Sequence, residues 1–173
     1  MSLPNMRQVV TGHNHEGKAI IDSDKELVPY NPLDGSPGKA GEMAFTTLWR
    51  TDSFPARAQG SWEDLNGQPI PLHDSIGTTA RTVDFPPGPG LMHRTVSLDF
   101  AVVLYGEVTL ELDDGVKTKM KQHDFAVQRG TIHSWVNESD QICRILFVLV
   151  PSEPIKVGDR ELGETGVPSW GKN

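Results

Sequence analysis

The sequence predicts an all-β fold, and three observations support that prediction. Apolar and polar residues alternate with a period of two, as where Val108, Leu110 and Leu112 face one side while Thr109 and Glu111 face the other. The 17 glycines and 13 prolines fall mainly between apolar runs, where they form turns. No long stretch repeats with the helical period of about 3.6 residues. Many short strands joined by turns are typical of a sandwich or a barrel.

The first part of the chain, residues 1–50, is predicted to be a β arm that packs on the barrel or on a partner chain. Its expected elements are two short strands, a loop rich in Pro, Gly, Asp and Ser, and a third strand, over residues 7–11, 18–22, 25–42 and 43–50. Residues 51–77 alternate polar residues with chain breakers and are predicted to be a connecting loop.

The barrel core is predicted over residues 78–151, and with the arm it makes one domain. Its expected strands cover residues 79–85, 100–104, 108–112, 116–121, 125–128, 133–136 and 141–151. Asp113, Asp114 and Gly115 form a strong hairpin signal, because Asp-Gly pairs favour tight turns. Residues 152–173 contain Gly-Asp, Gly-Glu and Pro-Ser-Trp-Gly breakers, which predict an irregular C-terminal extension.

Composition and charge exclude several classes of function. With a net charge of −7 and a pI of about 5.3, the chain lacks the basic surface of a nucleic-acid-binding protein. The longest apolar run, residues 145–150, is far shorter than the ~20 residues needed to cross a bilayer, and residues 1–10 lack the pattern of a secretory signal. We therefore expect a cytoplasmic protein with no nucleic-acid or membrane partner. The single cysteine, Cys143, lies in an apolar run, which indicates a buried structural thiol.

Two histidines, His93 and His133, are the most informative residues for function. They lie 40 positions apart with alternating apolar stretches between them, so they can converge from different strands. If residues 93–99 formed one straight strand, His93 and Asp99 would share a face. Two imidazoles and one carboxylate are a ligand set for a divalent metal that keeps coordination positions open, and these three residues are the predicted catalytic and metal-binding set. The alternative is two barrel histidines that hydrogen-bond each other or water, and a surface aspartate.

Both histidines lie in short motifs that resemble the two motifs of the cupin superfamily, whose double-stranded β-helix barrel holds one metal inside. The positions that match are His93, Asp99 in place of Glu, Gly106, Gly130, His133 and Asn137. The positions that depart are Thr95 for a histidine, Gln122 for a glycine and Gln128 for a proline. The resemblance covers about residues 78–151 and extends more loosely to the N-terminal strands.

The wider runs around both motifs, residues 92–107 and 128–135, are similar to a narrower subgroup, the small cupin-domain oxidoreductases of fungal secondary-metabolite clusters. The resemblance implies a cupin-type jelly-roll barrel that holds one divalent metal ion, Fe(II) as first choice with Mn, Ni or Zn as alternatives. It also implies an oxidoreductase that acts on a small organic metabolite in secondary metabolism. Cupins commonly pair their barrels, often by exchanging N-terminal strands, so a homodimer is expected.

Five further residues are predicted to contact the substrate: Arg81, Thr95, Tyr105, Gln128 and Trp135. Arg81 lies on an alternating strand, where an inward guanidinium could clamp a carboxylate, the alternative being a salt-bridged surface arginine. The Thr95 hydroxyl could hydrogen-bond a water at the metal. Trp135 should face the same side as His133, two residues away, and Tyr105 should lie at the rim because a glycine turn follows it.

Three functions are compatible with these residues. The first is a metal-dependent oxidoreductase, with oxygenases included, in which the metal binds a small-molecule substrate in its open positions and polarises an oxygen. The second is non-oxidative chemistry in the same barrel, namely decarboxylation, dehydration, isomerisation or cyclisation. The third is a small-molecule-binding module without catalysis. No helix-turn-helix pattern or basic segment accompanies the barrel, which argues against a transcription factor.

Overall fold

The computed structural model describes residues 3–168, and within this part almost all regular structure is β-strand. The strands in chain order are β1 Met6–His13, β2 Ala19–Leu27, β3 Ala44–Arg50, β4 Thr79–Phe85, β5 Ser97–Tyr105, β6 Glu107–Leu112, β7 Lys117–Lys121, β8 Phe125–Arg129, β9 His133–Val136, β10 Cys143–Pro151, β11 Ile155–Val157 and β12 Arg160–Leu162. One short 3-10 turn, Asp113–Gly115, joins β6 to β7 where the hairpin was predicted. No helix in the described part is long and apolar enough to span a bilayer. The predicted all-β class is confirmed.

Two antiparallel sheets form the body of the protein. One has five strands in the order β3-β4-β10-β5-β8, and the other has three in the order β7-β6-β9. Their facing side chains share one apolar core, in which Trp135 of β9 packs edge-on against Phe147 of β10 with ring centroids 5.4 Å apart. Val108 of β6 and Ile145 of β10 are buried in the same core. Two sheets packed around one core make the predicted jelly roll, or double-stranded β-helix.

The N-terminal segment divides between the barrel and a separate hairpin. β3 is an edge strand of the five-stranded sheet and pairs with β4, so the barrel includes residues well before position 78, where the sequence placed its start. β3 belongs to the barrel because its residues 44–47 are buried on both faces of the strand. β1 and β2 form a hairpin outside both sheets, which is tied to its own chain by a 2.6 Å hydrogen bond from Trp62 Nε1 to Asp22 Oδ2.

The C-terminal extension is more regular than its breaker residues predicted. β11 and β12 pair as a short hairpin, and Gly158 at φ 60° allows the turn between them. Further along, Thr165 exchanges two backbone hydrogen bonds with Arg94, so this segment closes on the residue next to His93. The prediction for residues 169–173 lies outside the described residues.

One ion pair is buried between β4 and β10. Arg144 donates Nε–H to Asp84 Oδ1 at 2.5 Å and Nη2–H to Oδ2 at 2.7 Å, a bidentate contact. Its Nη1 donates to the carbonyl of Pro4 at 2.6 Å. Because both side chains are less than a tenth exposed, neither charge has water as an alternative partner. The pair therefore locks the register of the two strands and ties the N-terminal segment to the sheet.

Candidate metal and substrate site

The two histidines lie directly opposite each other, His133 at the start of β9 and His93 in the irregular segment that runs beside it. His93 N–H donates to the His133 carbonyl and His133 N–H donates to the His93 carbonyl, both at 2.9 Å. In an antiparallel pair of this kind the side chains leave the same face, with Cβ atoms roughly 5 Å apart. The imidazole centroids are accordingly 4.5 Å apart. The rings that the sequence expected to converge from different strands lie side by side.

A close approach of two backbone segments makes this pairing possible. Residues 88–93 run antiparallel beside β9. Gly88 pairs with Asn137, just after β9, and His93 pairs with His133. A Cβ atom on Gly90 would clash with Ser134 Oγ and with the carbonyl oxygen of Trp135. Only glycine lets the two segments lie this close, so the Pro- and Gly-rich run before His93 positions the first imidazole.

Each imidazole is oriented by a backbone carbonyl at Nδ1. His93 Nδ1 lies 2.9 Å from the carbonyl oxygen of Leu91, and His133 Nδ1 lies 3.0 Å from that of Thr131. Because a carbonyl oxygen only accepts, each contact places the hydrogen on Nδ1 and leaves the lone pair on Nε2. A carbonyl at one ring nitrogen is a common way in which proteins orient an imidazole that ligates a metal through the other.

Gln128 acts on His133 and not on the cavity. Its Nε2 lies 2.9 Å from His133 Nδ1 and donates to the Thr131 carbonyl at 2.6 Å. An amide N–H donated to Nδ1 requires the opposite tautomer of His133, so Gln128 and Thr131 favour different tautomers. Although it is buried, Gln128 is not among the described residues that line the cavity. The structure thus makes it a positioning residue, whereas the sequence predicted a substrate contact.

Burial keeps both imidazoles neutral. Desolvation lowers the pKa of His93, and the hydrogen bond to the Leu91 carbonyl opposes it in part. Desolvation, together with the neighbouring His93 ring, lowers the pKa of His133 to about 4. Both rings therefore hold a free lone pair at neutral pH, which is the form of imidazole that binds metals.

Asp99 lines the same cavity but does not join the two histidines. The chain bends before Ser97, where β5 begins, so residues 93–99 are not the straight strand that the sequence reasoning assumed, and Asp99 belongs to the other sheet. Within residues 3–168 no three or more His, Cys, Asp and Glu side chains form a group that could hold a metal ion. The bend accounts for this, because it puts Asp99 on the opposite sheet from His133.

The buried Asp99 carboxyl is itself perturbed. Its Oδ1 has no hydrogen-bond partner in the described part of the chain. Desolvation raises the pKa of Asp99 to about 6, partly opposed by the Ser97 hydroxyl. A carboxyl in this state can change its protonation near neutral pH.

These residues surround a cavity of about 410 Å³. Its polar lining residues include Arg81, His93, Thr95, Asp99 and His133. Its apolar wall comes from both sheets and from the connecting loop, through Met43, Phe45, Leu72, Val83, Phe85, Trp135, Phe147 and Leu149. A cavity of this volume with a few convergent polar groups suits a small organic ligand.

Three of the five predicted substrate-contacting residues, Arg81, Thr95 and Trp135, line this cavity. The alternative of a salt-bridged surface position for Arg81 is wrong, because the residue is only 1% exposed. Tyr105 is not in the cavity lining of the described chain; it is 41% exposed at the far end of β5. Asp99 lies six residues earlier on that strand, which separates the two by roughly 20 Å.

Several cavity residues escaped the sequence reasoning. Phe147 could have been found, because the alternation along β10 places it on the same face as Ile145 and Leu149. Leu72 and the Pro71 carbonyl beside it come from the connecting loop, which has no periodic pattern. No signal in the sequence places that loop against the barrel mouth.

Comparison with known proteins identifies the family. No family model matches the chain. The chain is 33% identical over 169 residues to oryzines biosynthesis cluster protein J of Aspergillus oryzae, covering 94% of this chain and 92% of that protein. It is 30% identical over 168 residues to the cupin-domain-containing oxidoreductase virC of Hypocrea virens, covering 93% and 85%. It is 41% identical over 169 residues to the cupin-domain-containing oxidoreductase srdD of Neurospora crassa, covering 88% and 80%.

Solved structures with similar folds are more distant. A cupin superfamily protein from Desulfitobacterium hafniense superimposes with a TM-score of 0.47 at 13% identity, over 70% of this chain and 90% of that one. The polyketide cyclase RemF of Streptomyces resistomycificus superimposes with a TM-score of 0.46 at 18% identity, over 71% and 72%. The assignment therefore depends on the sequence relatives and on the two-sheet architecture. The chain belongs to the cupin superfamily, in the group of fungal biosynthesis-cluster proteins named cupin-domain-containing oxidoreductases.

Proposed function

We propose that this protein is a metal-dependent oxidoreductase that acts on a small organic metabolite in secondary metabolism. The observation that most supports the proposal is the pair of neutral imidazoles, His93 and His133, in one cavity with each Nδ1 at a backbone carbonyl. The reaction class is supported by relatives that are named cupin-domain-containing oxidoreductases.

The donor set suits a divalent cation. His93 and His133 would bind it through Nε2, whereas the Asp99 carboxylate lines the same cavity without joining them in one ligand group among the described residues. Two imidazoles, with the other coordination positions open to water or substrate, suit Fe(II), our first choice, and also Mn, Ni and Zn. When bound, such a metal supplies Lewis-acid chemistry and, for iron or manganese, one-electron chemistry.

The side chains of the protein bind and orient the substrate. Trp135 and Phe147 form an apolar wall that keeps water from the reacting groups. The buried Thr95 hydroxyl is held by a 2.8 Å hydrogen bond with the Ser97 hydroxyl and lines the cavity, where it can hydrogen-bond an oxygen of the substrate. Asp99 can take up or release a proton, because burial raises its pKa to about 6.

A second candidate function, non-oxidative proton-transfer chemistry, is favoured by that same property of Asp99. Dehydration, isomerisation and cyclisation require a group that exchanges protons near neutral pH, and the buried carboxyl meets that requirement. Oxygen uptake during turnover, together with the oxidation level of the recovered product, distinguishes the two candidates, because only the oxidative reaction consumes an oxidant and yields a product more oxidised than its substrate.

Elemental analysis of purified protein tests the proposed metal centre. We expect about one divalent metal per chain in the wild type, a large loss in His133→Ala, and no loss in a control, His15→Ala, which changes a solvent-exposed histidine of the β1–β2 turn. The proposal would be contradicted by a wild-type protein that binds no metal when it is reconstituted with Fe(II). It would also be contradicted if His133→Ala kept its full metal content.

We also propose a cytosolic homodimer in which the β1–β2 hairpin contacts the partner. The hairpin lies outside both sheets, and its Ile20 and Ile21 are exposed. Light scattering on the full chain measures the mass in solution. A monomeric mass would mean that the hairpin docks only on its own chain.

A further inference from the structure

Arg81 is a buried cation that forms no ion pair in the described part of the chain. Its side chain lines the cavity, and the residue is only 1% exposed. Nη2 donates to the Pro71 carbonyl at 2.9 Å, and the guanidinium carbon lies 5.3 Å from the ring centroid of Phe45. Nε and Nη1 have no hydrogen-bond partner among residues 3–168. The guanidinium thus keeps N–H groups that nothing in the described protein uses.

The polar groups nearest to Arg81 already have other partners. Asp74 forms an ion pair with Arg50, whose Nε donates to it at 2.7 Å. The Tyr30 hydroxyl shares a 2.7 Å hydrogen bond with Thr47. Both groups attract the guanidinium electrostatically, but neither forms an ion pair or hydrogen bond with it.

Asp99 attracts Arg81 electrostatically but forms no ion pair or hydrogen bond with it. Arg81 pairs with Phe147, which pairs in turn with Ala101, and Asp99 lies two residues from Ala101. This places the Cα atoms of Arg81 and Asp99 roughly 12 Å apart by sheet geometry. Nε and Nη1 of Arg81 and Oδ1 of Asp99 have no hydrogen-bond partner in the described chain, which agrees with that separation.

A buried guanidinium without a partner is costly, and it binds anions well for the same reason. Burial lowers the pKa of Arg81 to about 10, so the group stays charged at neutral pH. Its surroundings in the cavity wall are the apolar side chains of Phe45, Val83 and Phe147. In such a low-dielectric setting a charge-assisted pair is much stronger than in water. A planar carboxylate matches the guanidinium fork in shape as well as in charge.

We propose that Arg81 binds the carboxylate of a substrate whose remaining body is apolar, that is, an aromatic or alkyl carboxylic acid. The carboxylate accepts the unused guanidinium N–H groups, and the apolar body lies against Phe45 and Phe147. The far end of the molecule then extends toward Asp99 and the two histidines. This inference rests on the proposed function in one respect, namely that this cavity is the substrate site.

Binding to metal-free protein tests the inference without any turnover. Full-length protein freed of metal by dialysis against a chelator is titrated by calorimetry with two matched pairs of probes, cinnamate with cinnamamide and benzoate with benzamide. The variants are Arg81→Met, Arg81→Lys and, as a matched control, Arg129→Met, which removes an exposed arginine of β8. Thermal unfolding checks that each variant is folded, and if Arg81→Met fails to fold, Arg81→Lys carries the test.

We expect the wild type and Arg129→Met to prefer each carboxylate over its amide. Arg81→Met should bind the carboxylates on the order of 100-fold more weakly, because two charge-assisted hydrogen bonds are lost. Arg81→Lys should lie between, because it keeps the charge without the fork. Equal affinity of the wild type for acid and amide, including no binding of either, or an unchanged preference in the Arg81 variants, would overturn the inference.

The outcomes also separate this inference from the proposed function. Arg81-dependent carboxylate binding by a protein that takes up no metal would leave the anion site standing and remove the oxidoreductase. A metal-loaded enzyme that oxidises uncharged metabolites and does not bind carboxylates would leave the oxidoreductase standing and remove the anion site.

Discussion

The pH dependence of stability should change when Asp99 is replaced, because Asp99 and His133 act in opposite directions in the acid range. Burial raises the pKa of Asp99 from 3.8 to about 6 and lowers the pKa of His133 from 6.5 to about 4. Both residues are nearly inaccessible to solvent, so water screens neither effect strongly. The relevant protein is the metal-free form, in which no cation alters the two groups.

The sign follows from which state binds the proton more tightly. The folded protein binds the Asp99 proton more tightly than the unfolded chain does, so this contribution is fully present below about pH 3.8 and is lost as the pH rises through 6. The unfolded chain binds the His133 proton more tightly, so that contribution is present above about pH 6.5 and is lost as the pH falls toward 4. Each displacement of roughly two pH units is worth about 3 kcal/mol. In the wild type the two contributions therefore largely cancel between these limits.

Urea unfolding at a series of pH values reveals the cancellation. Between pH 6.5 and pH 4, Asp99→Asn should lose about 3 kcal/mol more of its free energy of unfolding than the wild type, because the opposing contribution of Asp99 is then absent. His133→Gln should show the opposite change of similar size, since the contribution of His133 is then absent. Acid effects elsewhere are common to all three proteins and vanish from the differences. Parallel curves for the wild type and both variants would refute the reasoning, and with it the buried state of the two groups.

Three other substitutions give independent checks. Gly90→Ala should lower the free energy of unfolding by about 1–3 kcal/mol and reduce metal content, because the added methyl group displaces the segment that carries His93. Urea unfolding and elemental analysis measure the two effects, and a variant unchanged in both would contradict the close contact of this segment with β9. Gln128→Glu should raise the pKa of His133 and tighten metal binding on the order of 10-fold, because a carboxylate accepts the hydrogen on Nδ1 whereas an amide N–H opposes it. NMR titration of the imidazole measures this pKa, and a lower pKa in the variant would contradict the assigned tautomer. Asp84→Asn should lower the free energy of unfolding by about 3–5 kcal/mol, because it leaves Arg144 buried and without its charge partner. Urea unfolding measures this loss, and a loss below about 1 kcal/mol would mean that the pair is solvated.

The strands of the barrel could be predicted because each has one face in a shared core. On β10, for example, Ile145, Phe147 and Leu149 point inward and leave a period of two in the sequence. β3 was placed outside the core because its four consecutive buried residues, 44–47, break that alternation. The C-terminal hairpin was missed for a different reason. β11 is fully exposed, so no apolar pattern distinguishes it from a loop.

The site could be predicted only as far as backbone pairing determines it. His93 and His133 were found because each lies in a recognisable motif, and a direct backbone bridge then places their rings together. The position of Asp99 depends on a bend that carries the chain from one sheet to the other, and a bend leaves no periodic signal. Arg81 was assigned to the cavity from alternation alone, but its lack of an anionic partner depends on how distant residues are paired.

The distribution of the polar residues over two sheets has a consequence for how this site can vary. His133 belongs to the smaller sheet and His93 lies beside it, where a hydrogen-bonded backbone pair sets the distance between the two imidazoles. Arg81 lies on the larger sheet, where its position is set by pairing with β3 and β10 and by no contact with either histidine. A change at Arg81 can therefore alter which substrate binds while the imidazole pair keeps its geometry. Asp99 also belongs to the larger sheet and lies apart from the two imidazoles, so substitutions there should affect proton transfer more than metal binding. For this reason separate measurements on Arg81 and His133 variants can assign substrate recognition and metal binding to different walls of one cavity.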